Sequence, residues 1–389
     1  MKNRWKRILS LGLTSAVMVG LLAACSNPGT PSVTPSETQP AAGESQPAEE
    51  TSEETITVVD DRGIEVTFPK DPQRIVISSI MPLTSVYCLY RGSTEGLVGI
   101  PAAAMSAAEN SYLATMYPEI LNIESEFSAG GDVNVEEVLN LEPDVVFYRA
   151  NEEEEGDMYA RAGIPAVAFS TSKFGTDTIA TFAGWISLLD DIFGGGEKTQ
   201  GIVEYGNEML NLIRERTAGL TDGERPTAII FGGYTDGQLT VPGGDQFADF
   251  YITEGGGTHA AAELSGSKTV NMEQIYAWDP DVIFINNFCP YVPEDFYNNA
   301  IEGYDWSSVS AVQNQRVYKF PLGTYRWYPP AGDAPLSLIW VAKQLQPELF
   351  ADIDMDQLMK DYYQDFYGYA LTDEDLEAIY NPPREAALY

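Results

Sequence analysis

The sequence predicts an α/β protein of two lobes that are joined by a single long backbone helix. Three observations predict this fold class: short apolar runs that alternate with helical segments, a long helical region near the middle of the chain, and an internal repeat. The 389 residues suffice for two ordinary domains, since a domain holds roughly 100–200 residues. With 44% hydrophobic residues, the chain can also form packed cores.

The first 25 residues predict an export signal. A basic start and an apolar stretch over residues 8–22 precede small residues and Cys25. This stretch is shorter than the about 20 residues that comfortably span a membrane. Residues 22–25, Leu-Ala-Ala-Cys, resemble the bacterial lipobox, which implies a lipoprotein signal peptide (1–25) and a lipid on Cys25 that anchors an extracytoplasmic protein to the cell membrane. The alternative is a plain signal with an incidental cysteine.

Residues 26–54 predict a disordered tether, because they consist mostly of Pro, Ser, Thr, Glu, Gly and Ala and offer little to bury. The head that follows is strongly acidic, and the whole chain has a net charge of −36. This charge argues against a nucleic-acid partner, which requires a basic face. We expect a monomer.

The inventory of reactive side chains excludes several chemistries. One histidine and three cysteines cannot form the common structural zinc sites, and the chain has no Walker A or G-x-S-x-G motif. We therefore predict that the protein is not an enzyme and uses no cofactor or protein-held metal. Cys88 and Cys289 are predicted to be free, buried thiols.

The first lobe is predicted over residues 55–175. Residues 57–68 read as a β-hairpin around an Asp-Arg-Gly turn. Apolar runs at 74–78, 98–100, 145–148 and 166–169 are typical of parallel strands that are buried on both faces.

A helical region is predicted over residues 176–220, interrupted by three glycines at 194–196. Its second half spans roughly 22 residues, or about 33 Å, and is predicted to be the interlobe helix. Strands resume at 228–231, 282–285 and 317–320, so the second lobe, with its terminal helices, is predicted over residues 221–389.

The internal repeat relates the two lobes. Residues 134–147 align without gaps onto residues 271–284, and each copy reads as a short helix, a Pro-Asp turn and a buried strand. The repeat favours two Rossmann-like α/β lobes with a ligand cleft between them over a solenoid array.

These features together resemble a known family. The chain resembles the substrate-binding lipoproteins of ABC importers for iron-siderophore complexes, haem and cobalamin. The resemblance is carried by the opening hairpin, Pro-Gln-Arg-Ile-Val at 72–76, the two Asn-x-Glu…Pro-Asp runs, the glycines at 255–257 and the closing segment at 340–350. The resemblance implies capture of a solute and its delivery to a permease. It also implies that Glu136 and Glu273 dock against the permease subunits, and two separated carboxylates would fix orientation as well as charge.

The ligand is expected beyond the carboxyl ends of the strands, where the two sheet edges face each other. Arginines there can bind an anion with paired hydrogen bonds, and aromatic rings can pack on a flat chelator. The candidate ligand-binding residues are Ser79, Met81, Tyr148, Arg149, Lys173, Tyr234, Asn287, Tyr325, Arg326 and Trp327. His259 is expected near the cap of a helix that opens after the glycine turn.

The ligand class stays open at this point. A metal chelate is favoured because the chain lacks a cluster of histidines for a bare cation, and a ferric siderophore is preferred among chelates. Haem, cobalamin or a molybdate-like oxyanion are the alternatives within this class. A surface-anchored carboxylate-based hydrolase or an adhesive lipoprotein are the alternatives of other classes.

Overall fold

The computed structural model describes residues 54–129, 132–235 and 237–387. The predicted signal peptide with Cys25 lies outside the described residues, as does the predicted tether up to residue 53. The described chain opens with a hairpin of β1 (Thr55–Val59) and β2 (Glu65–Pro69), as predicted. The Asp60 carboxylate fixes the turn by accepting from the amides of Arg62 and Ile64, and it accepts from Ala168 in the first sheet.

The first lobe is built on a parallel sheet with the strand order β4-β3-β7-β8. Its strands and the short ribbon β5-β6 beside it are β3 (Ile75–Ile77), β4 (Leu97–Gly99), β5 (Ser128–Ala129), β6 (Asp132–Val133), β7 (Val145–Arg149) and β8 (Ala166–Phe169). The central strands β3 and β7 are buried almost throughout because both faces of the sheet are covered. The predicted strand positions are confirmed to within a residue or two.

The second lobe is built on a parallel sheet with the strand order β12-β9-β14-β15. A three-stranded antiparallel ribbon, β10-β11-β13, lies beside it and was not predicted. The strands are β9 (Thr227–Phe231), β10 (Gly233–Thr235), β11 (Gln238–Pro242), β12 (Thr258–His259), β13 (Ser267–Thr269), β14 (Val282–Ile285) and β15 (Val317–Lys319).

Helices cover both sheets. In chain order they are α1 (Leu83–Arg91), α2 (Ala102–Glu109), α3 (Tyr112–Met116), α4 (Val135–Asn140), α5 (Glu153–Ala162), α6 (Thr178–Phe193), α7 (Glu197–Thr217), α8 (Phe247–Glu254), α9 (Met272–Trp278), α10 (Pro293–Tyr297), α11 (Ser310–Gln313), α12 (Ala334–Leu345), α13 (Met355–Tyr362) and α14 (Asp373–Tyr380). A π-helical turn (Tyr363–Tyr367) follows α13, and a 3-10 turn (Arg384–Ala387) closes the described chain.

The chain passes from the first sheet to the second through α6 and α7. They meet at the glycine run at 194–196, and Gly194 adopts a positive φ of 81° that ends α6. With 21 residues, α7 is about 32 Å long, and it packs against α6 and α12. Two consecutive helices therefore connect the first sheet to the second along the chain.

The internal repeat extends to backbone geometry. Helices α4 and α9 occupy corresponding positions before β7 and β14, and the residues that follow them, Glu142 and Asp279, both have positive φ values, of 46° and 37°. Such values are uncommon for residues other than glycine, so their recurrence 137 positions apart reflects one shared turn. The fold is the predicted α/β arrangement of two similar parallel sheets.

Candidate functional site

The first side of the cleft is formed where β3 and β7 end. The amide of Arg149 donates to Oγ of Ser79 at 3.0 Å, and its Nη2 donates to the Ser79 carbonyl at 2.9 Å. Its Nη1 lies 3.6 Å from Oε1 of Glu152, and 27% of the side chain is exposed. Adjacent parallel strands thus bring Ser79 and Arg149 together at one sheet edge, as predicted, and part of the guanidinium remains accessible.

Lys173 lies at the same edge but belongs to a structural pair. Its Nζ donates to Oδ1 of Asp61 at 2.8 Å, while the Asp61 side chain is only 7% exposed. Asp61 also accepts from the amide of Ser170. The pair therefore fastens the end of β8 to the opening hairpin.

Tyr148 lies in the core of the first lobe rather than at the cleft surface. It is 2% exposed, its ring packs edge-on against Tyr159, and its hydroxyl accepts from Nη1 of Arg62 at 2.9 Å. Since side chains alternate along a strand, Arg149 reaches the edge while its neighbour Tyr148 turns toward α5. Tyr148 therefore presents no ring face to a solute.

The two lobes touch directly at the base of the cleft. Ala107 of α2 packs with the buried Tyr325 and Ala331 of the second lobe, and the partly buried Met81 packs against this cluster. The amide of Tyr112 also donates to the Gly323 carbonyl at 3.0 Å. Met81 and Tyr325, both predicted ligand residues, therefore lie at the contact between the lobes.

Arg326 is fully buried and links three parts of the chain. Its Nη1 donates weakly to the Ala103 carbonyl (3.4 Å) and to the Tyr325 hydroxyl (3.3 Å), and its Nη2 donates to the Ala386 carbonyl at 2.9 Å. The guanidinium carbon lies 4.4 Å from the ring centroid of Phe288. These contacts join the first lobe, the second lobe and the C-terminal segment.

Asn287 and Tyr234 contribute to the second side of the cleft. Asn287 is buried, and its Nδ2 donates to the Pro321 carbonyl at 2.9 Å. Its Oδ1 has no hydrogen-bond partner within the described part of the chain. The ring of Tyr234 is partly buried and meets Tyr291 edge-on, with 4.9 Å between the ring centroids. This side therefore offers a buried amide oxygen and a pair of aromatic rings.

Trp327 lies in the core and is hydrogen-bonded to the carboxylate of Asp333, a residue that the sequence analysis did not single out. Its Nε1 donates to Oδ2 of Asp333 at 3.1 Å, and the same oxygen accepts from the amide of Thr324 and the hydroxyl of Tyr363. Asp333 is 1% exposed, and burial raises its pKa. An aspartate directly before the apolar helix α12, with Pro335 inside its first turn, was the signal that could have drawn attention to this position.

His259 lies outside the cleft, and the expectation of a helix cap there is wrong. It belongs to the short strand β12 and pairs with Ala228, near the start of β9 and away from the carboxyl end that faces the cleft. Its Nδ1 lies 3.2 Å from Oδ1 of Asp249, and burial lowers its pKa. Cys88 and Cys289 are free and buried, as predicted, and burial raises the pKa of both thiols.

The two predicted docking glutamates occupy matching exposed positions. Glu136 lies in the first turn of α4 and Glu273 in the first turn of α9. Both helix starts are capped by an asparagine: Asn134 Oδ1 accepts from the amides of Glu136 at 3.1 Å and Glu137 at 3.4 Å, and Asn271 Oδ1 accepts from the amide of Gln274 at 3.0 Å. The repeat therefore presents one carboxylate on each lobe in the first turn of an asparagine-capped helix.

Within residues 54–129, 132–235 and 237–387, no helix combines the length and the apolar character that crossing a membrane demands. Nor does this part of the chain contain a group of three or more His, Cys, Asp and Glu side chains arranged to hold a metal ion.

Two similar parallel sheets, a helical connection and polar residues at facing strand ends define a two-lobe solute-binding protein. Residues 86–322, more than half of the chain, match the periplasmic binding protein family, and the chain belongs to this family. It is therefore an extracytoplasmic substrate-binding protein of an ABC importer, a class that binds small ligands and a permease and is not enzymatic.

Individual relatives cover nearly the whole head. A periplasmic solute binding protein from Veillonella parvula is 32% identical, with a TM-score of 0.75 over 84% of this chain and 97% of that chain. The molybdate-binding protein MolA of Haemophilus influenzae is 25% identical over 80% of this chain and 90% of its own length. The substrate-binding lipoprotein YvrC of Bacillus subtilis is 23% identical over 79% of this chain and 88% of its own length.

Proposed function

We propose that the protein captures a small oxyanion of the molybdate type and delivers it to its ABC permease. The observation that carries this proposal is the direct contact between the lobes through Ala107, Tyr325 and Ala331, with Met81 packed against them. Contact at this point favours a small solute over a macrocycle, which needs a wide gap. The similarity to a molybdate-binding protein supports the same choice.

Arg149 is the residue that we assign to the anion. Its side chain is 27% exposed at the sheet edge, and a planar guanidinium binds oxyanions through paired hydrogen bonds. One hydrogen bond to the Ser79 carbonyl holds the guanidinium, and a second joins the Arg149 amide to Ser79 Oγ, so the group is held before the solute arrives. Such preorganisation lowers the entropy lost on binding.

A ferric siderophore is the second candidate. The edge-on pair of Tyr234 and Tyr291 favours it, because partly buried rings could pack against an aromatic chelator. The burial of Tyr325 and Trp327 weakens it, since both rings were expected to contact the chelator. The burial of Tyr325 and Trp327 also weakens haem and cobalamin as candidates, because these two rings were expected to pack against a flat ligand.

Calorimetric titration of the purified protein tests the solute. The panel contains molybdate, sulfate, ferric catecholate and hydroxamate complexes, haem and cobalamin. We expect saturable binding of molybdate with a Kd of about 1 μM or below, and Arg149→Ala should weaken it at least about tenfold. The exposed Arg161→Ala is the matched control and should bind as the wild type does. Tight binding of a ferric complex without molybdate binding would overturn the oxyanion assignment.

For the docking step, we propose that Glu136 and Glu273 engage basic residues on the permease. Their exposure and their corresponding positions in the first turns of two asparagine-capped helices support this assignment. The double variant Glu136→Ala/Glu273→Ala should lose solute uptake in cells and keep its solute affinity. Uptake at the wild-type rate by that variant would contradict the docking role of the two glutamates.

We also propose that a lipid on Cys25 anchors the mature protein to the membrane. The Leu-Ala-Ala-Cys sequence supports this, as does the similarity to a protein that is named as a lipoprotein. Mass spectrometry of the amino-terminal peptide should find Cys25 diacylated or triacylated. An unmodified Cys25 in the membrane fraction would contradict the anchor.

A further inference from the structure

Two exposed apolar side chains stand at corresponding positions of the repeat. Leu139 on α4 is 39% exposed and Tyr276 on α9 is 42% exposed, and they lie 137 positions apart, the same offset that relates Glu136 to Glu273. Single exposed apolar side chains are common on protein surfaces, so what distinguishes these two is their recurrence at the offset of the repeat. This recurrence follows the duplication of the lobes.

Each apolar residue shares a helix face with its glutamate. Glu136 and Leu139 are three residues apart on α4, as are Glu273 and Tyr276 on α9. Side chains at this spacing are neighbours on a helix surface. Each lobe therefore presents a carboxylate beside an apolar group, and we call these pairs the first docking patch (Glu136, Leu139) and the second docking patch (Glu273, Tyr276).

The second patch holds its apolar group in place. The Tyr276 hydroxyl donates to the Asp305 carbonyl at 2.7 Å, so the ring keeps one orientation while much of its surface stays exposed. A ring held in this way loses little conformational entropy when a partner covers it. Because neither apolar side chain lies in a core, replacing them should hardly affect stability.

We propose that Leu139 and Tyr276 are apolar anchors that bind the permease beside the two glutamates. This inference rests on the proposed docking of Glu136 and Glu273. An exposed ion pair contributes little on its own, whereas a covered apolar or aromatic group supplies much of the energy of an interface. The two patches fit a partner that presents a basic group opposite each glutamate and an apolar recess beside it.

The test uses the permease–ATPase complex of the same organism, reconstituted in liposomes, with full-length protein and its solute. The measurement is the protein concentration that half-maximally stimulates ATP hydrolysis. Leu139→Ser/Tyr276→Ser should raise it at least about tenfold while solute affinity and melting temperature stay unchanged. The matched control is Leu121→Ser/Met158→Ser, which removes two equally exposed apolar groups outside the patches and should have no effect.

Further variants separate this inference from the docking proposal. Tyr276→Phe keeps the ring and should retain most of the stimulation. If Glu136→Ala/Glu273→Ala raises the half-maximal concentration and Leu139→Ser/Tyr276→Ser does not, the anchors are refuted and the docking glutamates stand. If neither double variant has an effect, both assignments are refuted. An equal loss in the Leu121→Ser/Met158→Ser control would also refute the anchors.

Discussion

Asp144 and Asp281 bind the chain in the same way at the starts of β3 and β9. Oδ2 of Asp144 accepts from the amide of Arg74 at 2.9 Å, and Oδ2 of Asp281 accepts from the amide of Thr227 at 2.8 Å. In return, the amides of the two aspartates donate to the carbonyls of Arg74 and Thr227. The Pro-Asp element of the repeat therefore encodes the junction between neighbouring strands in both lobes.

Removing either carboxylate should destabilise its lobe. Asp281→Ala leaves the part-buried amide of Thr227 without its acceptor, which should cost about 1–3 kcal/mol of the free energy of unfolding. Asp144→Ala should cost less, about 1 kcal/mol, because the amides of Gln73 and Arg74 are exposed and water can replace the carboxylate. Urea unfolding measures the effect, with the exposed Asp71→Ala as control. Stability equal to the control would show that these bonds contribute nothing.

Arg326→Ala should act on stability more than on solute affinity. The substitution removes the donor to the carbonyls of Ala103 and Ala386 and the packing against Phe288, at a cost of about 2–4 kcal/mol. Thermal unfolding and titration with molybdate separate the two effects. A variant of unchanged stability that no longer binds molybdate would make Arg326 a solute ligand instead.

Asp333 should make stability depend on pH. Burial raises the pKa of Asp333 above the value of about 4 that an exposed aspartate has. The folded state therefore holds the proton more tightly than the unfolded chain does. Its contribution is complete below about pH 4 and is lost as the pH rises through the raised pKa. Asp333→Asn removes this titration, so the melting temperature of the wild type should fall relative to the variant as the pH rises above about 4. A constant difference would contradict the assignment.

The C-terminal segment should loosen when Arg384 is replaced. Its guanidinium pairs with both carboxylate oxygens of Asp295, at 2.7 and 2.9 Å, and so fastens the segment that carries Ala386 to the second lobe. The Arg384 side chain is 50% exposed, so Arg384→Ala should lower global stability by only about 1 kcal/mol. Hydrogen exchange over residues 381–387 should nevertheless accelerate, with Arg384→Lys intermediate. Exchange at the wild-type rate would show that other contacts hold the segment.

The sequence predicts the strands and the lobes well because both depend on local pattern. Buried parallel strands appear as apolar runs, and the repeat at 134–147 and 271–284 marks the duplication. Side-chain direction is less readable: Tyr148 and Arg149 are neighbours, yet one lies in the core and the other at the sheet edge. Their position at the end of a predicted strand does not show which of the two side chains points into the core.

Hydrogen-bond acceptors that lie far away along the chain also could not be predicted from the sequence. Arg326 bonds to the carbonyls of Ala103 and Ala386, which lie 223 and 60 positions away, and backbone acceptors leave no trace in residue types. A glycine turn before a run of alanines predicts His259 near the cap of a helix, but its pairing with Ala228 places it in a short strand. In both cases tertiary contact overrides the local signal.

The position of the solute tests the proposed function most directly. Crystals grown with molybdate should be measured at the molybdenum absorption edge. We predict one anomalous peak in the cleft, within hydrogen-bonding distance of the Arg149 guanidinium. No molybdenum peak in the cleft, together with an iron peak there in crystals grown with a ferric siderophore, would contradict the oxyanion assignment.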